Sequence, residues 1–196
     1  MSERGFANPG YALFETAIGR CGIVWSERGI VGVQFPESGE QATRKRLLRR
    51  FPGACETAPP EAVQRTTNDI VALLRGERRD LRDAVLDYAA VADFSRRVYD
   101  IARAVPPGST LSYGEVAARL GDRNLARDVA QALGQNPFPI IVPCHRVMAA
   151  GGKTGGFSAP GGVRTKLRLL SIERAQPGGP TLFEDLPLAA RPRRRT

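Results

Sequence analysis

Residues 136–147 run Asn136-Pro137-Phe138-Pro139-Ile140-Ile141-Val142-Pro143-Cys144-His145-Arg146-Val147. The stretch holds the only histidine of the 196 residues, directly after one of three cysteines. The apolar segment before that pair is short, β-branched and bounded by prolines, which predicts buried extended chain rather than helix. Pro143 also disfavours the helical region at Val142. We therefore expect Cys144 to leave the core at a stiff point, on the floor of a pocket.

The pair Cys144 and His145 is a candidate for nucleophilic chemistry. A thiol becomes a nucleophile when it ionises, and an adjacent base or positive charge promotes ionisation. His145 and Arg146 could supply either. Neighbours on an extended chain point to opposite faces, so Cys144 and His145 need a bend or a bridging water to cooperate. Because free cysteine is among the most buried residue types, simple packing is the competing interpretation.

The composition limits the class of protein. A chain of 196 residues suits one or two small domains. Its net charge of +9 suggests an anionic partner, with nucleic acid as the first candidate; four arginines in the last six residues supply part of that charge and leave +5 for the rest. Three widely spaced cysteines suit a reducing compartment. The start of the chain has no apolar leader and no segment approaches transmembrane length, so we expect a soluble, cytoplasmic protein.

The N-terminal half alternates strand patterns with helical patterns. The predicted elements are strands at 11–17, 22–25 and 30–35, helices at 37–51 and 61–75, and a returning strand at 81–88. Cys21 and Cys55 have no histidine nearby and no paired spacing, which argues against a zinc site and for packing. The basic run at 44–50 could contact phosphate or form a solvated helix face.

The C-terminal half begins with an amphipathic helix. Its apolar stripe consists of Phe94, Val98, Ile101 and Val105, and Asp93 is the expected N-cap. The proline-rich turn that follows ends this helix.

Two further helices predict a helix-turn-helix. Ser112 and Glu115 form a capping-box pattern at the start of a helix at 113–120, and a turn at 121–124 leads to a helix at 125–133. The second helix of such a pair commonly enters a DNA groove. Helical hairpins that bind nothing are the competing interpretation.

Six glycines between residues 151 and 162 predict a loop after the Cys-His pair. A phosphate cradle is rejected because no Walker lysine–serine pair follows. A closing helix is predicted at 166–173. The tail at 177–196 is rich in Pro, Gly and Arg and is predicted to be disordered, with nonspecific, salt-sensitive affinity for DNA.

The motif Pro143-Cys144-His145-Arg146, preceded by Asn136-Pro137 and Ile141-Val142, resembles the active-site signature of the O6-alkylguanine-DNA alkyltransferases, the methylated-DNA–protein-cysteine methyltransferases. The resemblance extends from about Phe94 to Arg174. It covers the predicted helix-turn-helix, the cysteine turn, the glycine loop and the closing helix.

The resemblance implies a fold in two domains. An α/β N-terminal domain, a ribonuclease H-like small sheet with helices, would span 1–90. A mostly α C-terminal winged helix-turn-helix domain would span 91–176, followed by the basic tail at 177–196.

The resemblance also implies an activity. The protein would irreversibly transfer a methyl or alkyl group from O6-alkylguanine in double-stranded DNA to its own cysteine, once per molecule, with O4-alkylthymine as a further candidate substrate. It would act as a monomer in the minor groove on a flipped nucleotide, without metal, cofactor or membrane. One alternative is an alkyltransferase-like protein that binds the lesion without reacting. Such relatives lack the cysteine, so Cys144 argues against it. Another alternative is a DNA-binding regulator with an inert thiol.

Site residues follow from the same resemblance. Glu173 would orient His145, which takes a proton from Cys144 through a water. Tyr113 would protonate or stabilise the departing base, and Asn136 would link the recognition helix to the cysteine turn. The implied residues are Cys144, His145, Glu173, Tyr113 and Asn136 for catalysis, Tyr113, Leu133, Val147, Phe157 and Ser158 for the substrate, and Arg127, Ala126 and Ser112 for DNA.

Arg127 falls where the family places the arginine that fills the space left by the flipped nucleotide. Extrusion of a base costs a few kcal/mol, which a wedge partly offsets. The sequence departs from the family pattern at three places. Asp128 replaces a small apolar residue, Phe157 stands where many relatives have tyrosine, and Ala159-Pro160 resembles a two-residue insertion that affects pocket size.

Overall fold

The computed structural model describes residues 8–175. Its N-terminal part is a four-stranded mixed sheet in the order β3-β2-β1-β4, with β1 at Gly10–Thr16, β2 at Gly19–Ser26, β3 at Gly29–Gln34 and β4 at Cys55–Glu56. The first three strands form antiparallel hairpins, and β4 pairs parallel to β1. Gly19 and Gly29 are the first residues after the two hairpin turns. Their φ angles of +123° and +139° lie in a region that favours glycine.

A helix covers each face of this sheet. Because side chains alternate along a strand, Val24 packs in a cluster with Leu47 of α1 (Glu40–Arg50), whereas Ile23 belongs to the larger cluster on the other face. That larger cluster includes Ile70 of α2 (Glu61–Leu74). The sequence predicts a stripe of Val63, Thr67, Ile70 and Leu74 on one face of α2, and all four residues are buried.

The C-terminal part is mainly helical. It contains α3 at Asp93–Arg103, α4 at Tyr113–Arg119, α5 at Ala126–Gly134, α6 at Val163–Ile172, and the paired parallel strands β5 at Leu111–Ser112 and β6 at Val147–Met148. The predicted capping box is present: Ser112 Oγ accepts from Glu115 N at 3.1 Å, and the Glu115 carboxylate accepts from Ser112 N at 2.6 Å. Helices α4 and α5 follow one another across a short 3₁₀ turn, Arg123–Leu125, and Ala117 of α4 is fully buried.

One hydrophobic cluster joins the sheet to the helices. It contains Ile23 and Val33 from the sheet, Val98 and Val129 from α3 and α5, and Cys144. The sheet-plus-helices architecture agrees with the prediction, and the domain boundary at residue 90 stays a prediction. Within residues 8–175, no helix has the length and apolarity needed to cross a bilayer.

Three local predictions were wrong. Residues 81–88 form no strand, only a single bridge between Leu86 and Ile30. Ala92, not Asp93, is the N-cap of α3, and Asp93 is its first residue. The buried segment 138–142 is a tight turn rather than extended chain, because Ile140 has φ of 75°. The tail at 177–196 lies outside the described residues.

Candidate active site

Cys144 follows the buried turn directly. Asn136, just after α5, stabilises this turn: its Nδ2 donates to the Val142 carbonyl and its Oδ1 accepts from the Phe138 amide, both at 2.9 Å. The chain then enters a 3₁₀ turn, Cys144–Arg146, which supplies the bend that the adjacent Cys and His require. Asn136 thus connects the end of α5 with the backbone that carries Cys144.

His145, Arg146 and Glu173 form a buried network. Glu173 caps the C-terminal end of α6, and its Oε1 lies 3.0 Å from His145 Nε2. Arg146 donates Nε to Glu173 Oε2 and Nη2 to Oε1, both at 2.8 Å, and Nη1 to the Val105 carbonyl at 2.6 Å. The three side chains are between 1% and 6% exposed. Arg146 therefore fixes the carboxylate rather than facing the thiol.

The protonation states in this network follow from its contacts. Burial would raise the pKa of Glu173, but hydrogen bonds from His145 and Arg146 outweigh burial and lower it to about 2. Burial lowers the pKa of His145 despite the neighbouring Glu173 carboxylate. Since an ionised carboxylate can only accept, the neutral ring carries its proton on Nε2. His145 Nδ1 is then an acceptor, and it is buried without a partner among residues 8–175.

Cys144 is a protonated thiol at rest. Burial raises its pKa, although a hydrogen bond with Asn136 and the charge of Lys166 act in the opposite direction. Lys166 of α6 is fully buried, and its Nζ donates to the Val147 carbonyl at 2.6 Å and lies 5.8 Å from the Tyr113 ring centroid. Burial lowers the pKa of Lys166 to about 8, so it is mostly charged near neutral pH. The thiol therefore needs a base, and a cation supports the thiolate.

A cavity of about 360 Å³ opens above Cys144, and we call it the lesion cavity. Its walls are Tyr113, Ala130, Leu133, Gly134, Cys144, Gly156, Phe157 and Ser158. The pairing of β5 with β6 brings Tyr113, the first residue of α4, to the chain that follows Cys144. Burial raises the pKa of Tyr113, so its hydroxyl stays protonated and can donate.

The glycine loop closes the lesion cavity through two anchors. Ser158 Oγ donates to the Gly134 carbonyl at the end of α5, at 2.9 Å. The Phe157 ring packs edge-to-face against Phe35 of the N-terminal part, with centroids 6.0 Å apart. Gly155 has φ of +66° and lies close to Tyr113. A Cβ atom at this position would lie only 3.2 Å from the Tyr113 hydroxyl, so the close approach favours glycine.

The structure brings together most of the predicted site residues. Tyr113, Leu133, Phe157 and Ser158 line the lesion cavity with Cys144. Val147 does not, since it is fully buried in β6.

The residues implied for DNA do not line the lesion cavity. Arg127 is exposed on the first turn of α5, Ala126 begins that helix, and Ser112 caps α4. Among residues 8–175 there is no cluster of His, Cys, Asp and Glu that could hold a metal ion. Sequence reasoning missed the role of Lys166 in the site. The one available signal is its spacing, since it lies four residues before the buried Leu170 on the closing helix.

Comparisons with known proteins identify relatives of the whole arrangement. The family model described as 6-O-methylguanine DNA methyltransferase, DNA binding domain, matches residues 93–175. A methylated-DNA–protein-cysteine methyltransferase of Methanothermobacter thermautotrophicus is 36% identical over 152 residues, which cover 78% of each chain. One of Mycobacterium bovis is 40% identical over 129 residues, covering 65% of this chain and 76% of that protein.

Solved structures agree. The crystal structure of Mycobacterium tuberculosis O6-methylguanine methyltransferase is similar with a TM-score of 0.66 and 31% identity, covering 85% of this chain and 93% of that one. A structure of Mycobacterium tuberculosis OGT in complex with DNA gives the same TM-score at 30% identity, covering 84% and 92%. The chain therefore belongs to the methylated-DNA–protein-cysteine methyltransferase family.

Proposed function

We propose that this protein repairs O6-alkylguanine in DNA by transferring the alkyl group to Cys144. The observation that carries the proposal is the placement of a nucleophile at the base of a cavity, beside a neutral histidine whose far nitrogen is bonded to a buried carboxylate. This is the nucleophile, base and orienting group that covalent catalysis requires. The named relatives carry the same activity in their names.

The first step activates the thiol. A water between the two side chains passes the proton from Cys144 Sγ to His145 Nδ1, the nitrogen without a partner. Glu173 stabilises the imidazolium that forms, and Arg146 keeps the carboxylate in place through two hydrogen bonds. The positive charge of Lys166 favours the thiolate. His145 is therefore neutral before the reaction and carries the thiol proton only while Cys144 reacts.

The second step moves the alkyl group. The thiolate attacks the alkyl carbon in line, a carbon–sulfur bond forms, and the bond from that carbon to O6 breaks. Tyr113 donates a hydrogen bond or its proton to the departing guanine. It can do so because its raised pKa keeps the hydroxyl protonated before the reaction. The product is a thioether, whose sulfur is a poor leaving group, so each molecule acts once.

We propose that residues 1–90 form a ribonuclease H-like domain and 91–176 a winged helix-turn-helix domain in which α5 docks in the minor groove. That groove's code is degenerate, so readout of sequence would be slight, which suits a protein that must find a lesion in any context. The protein would act as a monomer, and its cytoplasmic location stays a prediction.

Arg127→Ala separates the DNA step from the chemistry. We expect this variant to repair O6-methylguanine in duplex DNA about tenfold more slowly, because the wedge that offsets the cost of base flipping is lost. The reaction with free O6-benzylguanine should change less than twofold, since a free base needs no flipping. Arg119→Ala on α4 serves as a matched surface control. Equal losses on duplex and free base would contradict the wedge role.

The proposal is tested by stoichiometry. Duplex DNA carrying O6-[methyl-labelled]guanine is incubated with the full chain, and the label is located by peptide mass analysis. We expect one label per molecule, on the peptide that contains Cys144, with guanine restored in the DNA. Turnover beyond one equivalent, or bound but unlabelled protein, would contradict the proposal; the second outcome would instead support a lesion-binding protein.

A further inference from the structure

A second cavity also borders Cys144, and we call it the rear cavity. It measures about 240 Å³ and shares Leu133, Gly134, Cys144, Phe157 and Ser158 with the lesion cavity. Its remaining walls come partly from the N-terminal sheet and α1. A methyl group needs roughly the 30 Å³ that one water occupies in the liquid. The space next to the sulfur is thus several times larger than a methyl group requires.

Two arginines of α1 line the rear cavity. Arg50 is held toward it, because its Nη1 donates to the Val33 carbonyl at 3.1 Å and to Gln34 Oε1 at 2.9 Å. Gln34 is itself 2% exposed and lines the same cavity. The second arginine is Arg46, one helical turn earlier. The fold therefore holds the Arg50 guanidinium at this cavity, and Arg46 lies on the same side of α1 because it is four residues away.

These two guanidiniums are poorly neutralised. Within residues 8–175 no carboxylate lies within 4.0 Å of Arg50, and the carboxylate nearest to Arg46, that of Glu37, is 3.7 Å away. By contrast, Arg44 on the same helix binds the carboxylates of two glutamates. Both arginines keep solvent-exposed side chains. Desolvation of Arg50 on its cavity side and the charge of Arg46 lower the pKa of Arg50, and an anion between the two arginines would relieve the repulsion.

The rest of the rear cavity is suited to the stem of a substituent. Phe35, Pro139, Phe157 and Pro160 supply apolar surface to the cavity that the sulfur and the two arginines also line. A substituent on O6 that is attacked by Cys144 would therefore place its first carbon at the sulfur. Its far end would then extend into the rear cavity, which shares Cys144 with the lesion cavity.

We propose that the rear cavity receives the O6 substituent, and that Arg50, assisted by Arg46, selects substituents that end in an anion, carboxymethyl being the smallest. This inference rests on the proposed function and names the substrate class of the same site. The thiol proton passes to His145, the Cys144 sulfur forms a bond to the CH₂ carbon, and the bond from that carbon to O6 breaks. The departing guanine takes a proton from Tyr113, which His145 can replace by way of water. The protein keeps S-carboxymethylcysteine, and no further reactant is required.

The same arginines could instead contact a DNA phosphate, and the substrates distinguish the two. O6-carboxymethylguanine is compared with its neutral isostere O6-carbamoylmethylguanine, each as the free base and in duplex DNA. The measured quantity is the ratio of the transfer rates of these two substrates. A phosphate contact would affect both duplex substrates equally and leave the ratio unchanged, whereas a contact with the substituent changes the ratio even on the free bases.

We expect the wild-type ratio to favour carboxymethyl by about tenfold, the worth of a charge-assisted hydrogen bond that is partly open to solvent. Arg50→Gln should lower the ratio about tenfold, and Arg46→Gln about threefold. Arg49→Gln, which removes an exposed charge from the same helix without touching the cavity, should leave the ratio unchanged. Because both substrates are measured on the same variant, any general loss of folded protein cancels in the ratio.

Transfer from O6-methylguanine in duplex DNA is measured first. If it occurs but the wild-type ratio is near one, or the ratio is the same in Arg50→Gln and Arg46→Gln as in wild type, the anion subsite is overturned and the repair function stands. If no transfer occurs from O6-methylguanine, the proposed function fails and the subsite with it.

Discussion

Cys144→Ser is expected to abolish alkyl transfer while binding to DNA that contains O6-methylguanine survives. A serine hydroxyl has nearly the size of the thiol, but His145 cannot ionise it to a useful extent, so the transfer rate should fall by more than about 10³-fold. The other walls of the lesion cavity and Arg127 are unchanged by the substitution. The variant should therefore behave as a lesion-binding protein. Single-turnover kinetics and band-shift titrations with the same duplex measure the two properties separately.

The matched control for this substitution is Cys55→Ser. Cys55 is exposed on β4, and Cys21 is a fully buried thiol whose pKa burial raises to about 12. Neither lines the lesion cavity. The Cys55 variant should retain the full rate. Label that persists in Cys144→Ser, or that moves to Cys55 or Cys21, would show that the acceptor had been misassigned.

The sequence predicts best where local physics decides. The capping box at Ser112 and the stripe of α2 depend on neighbours three or four residues apart, and both are confirmed. The segment 138–142 was predicted as extended chain, because its β-branched residues favour strands. Tertiary contacts overrode that preference: both ends of the Asn136 amide bind this segment, and Ile140 takes up a left-handed conformation.

Two features of the site depend on contacts that no local pattern contains. Lysine is almost never fully buried without a partner. A lysine in the closing helix is therefore assigned to the surface from sequence, whereas Lys166 is buried and its charge acts on Cys144. Arg46 and Arg50 belong to a basic helix that sequence reasoning could assign only to phosphate or to solvent. Their place in the rear cavity follows from the way α1 packs beside β3, almost one hundred residues before the cysteine. Contacts between residues far apart in the sequence, and not composition, therefore place Lys166, Arg46 and Arg50 near Cys144.

Glu173→Gln is expected to damage both chemistry and stability. An amide cannot stabilise the imidazolium as a carboxylate does, so transfer should slow by about 10²-fold. The substitution also leaves Arg146 buried without a counter-charge. We expect the free energy of unfolding at pH 7 to fall by about 3 kcal/mol, in line with other broken buried pairs. Urea unfolding and single-turnover kinetics on the same preparation provide both numbers.

The stability difference should depend on pH in a defined direction. The pKa of Glu173 is lowered from its usual 4.5 to about 2, so the stabilisation is complete above pH 4.5 and is lost as the pH falls toward 2. The gap between wild type and Glu173→Gln should thus shrink to roughly half at pH 3. Glu40→Gln, which removes a largely solvent-accessible ion-paired carboxylate from α1, should lower the free energy of unfolding at pH 7 much less than Glu173→Gln does, because solvent screens its ion pairs. A gap that stayed constant from pH 7 to pH 3 would mean that Glu173 is not the ionised partner of His145 and Arg146.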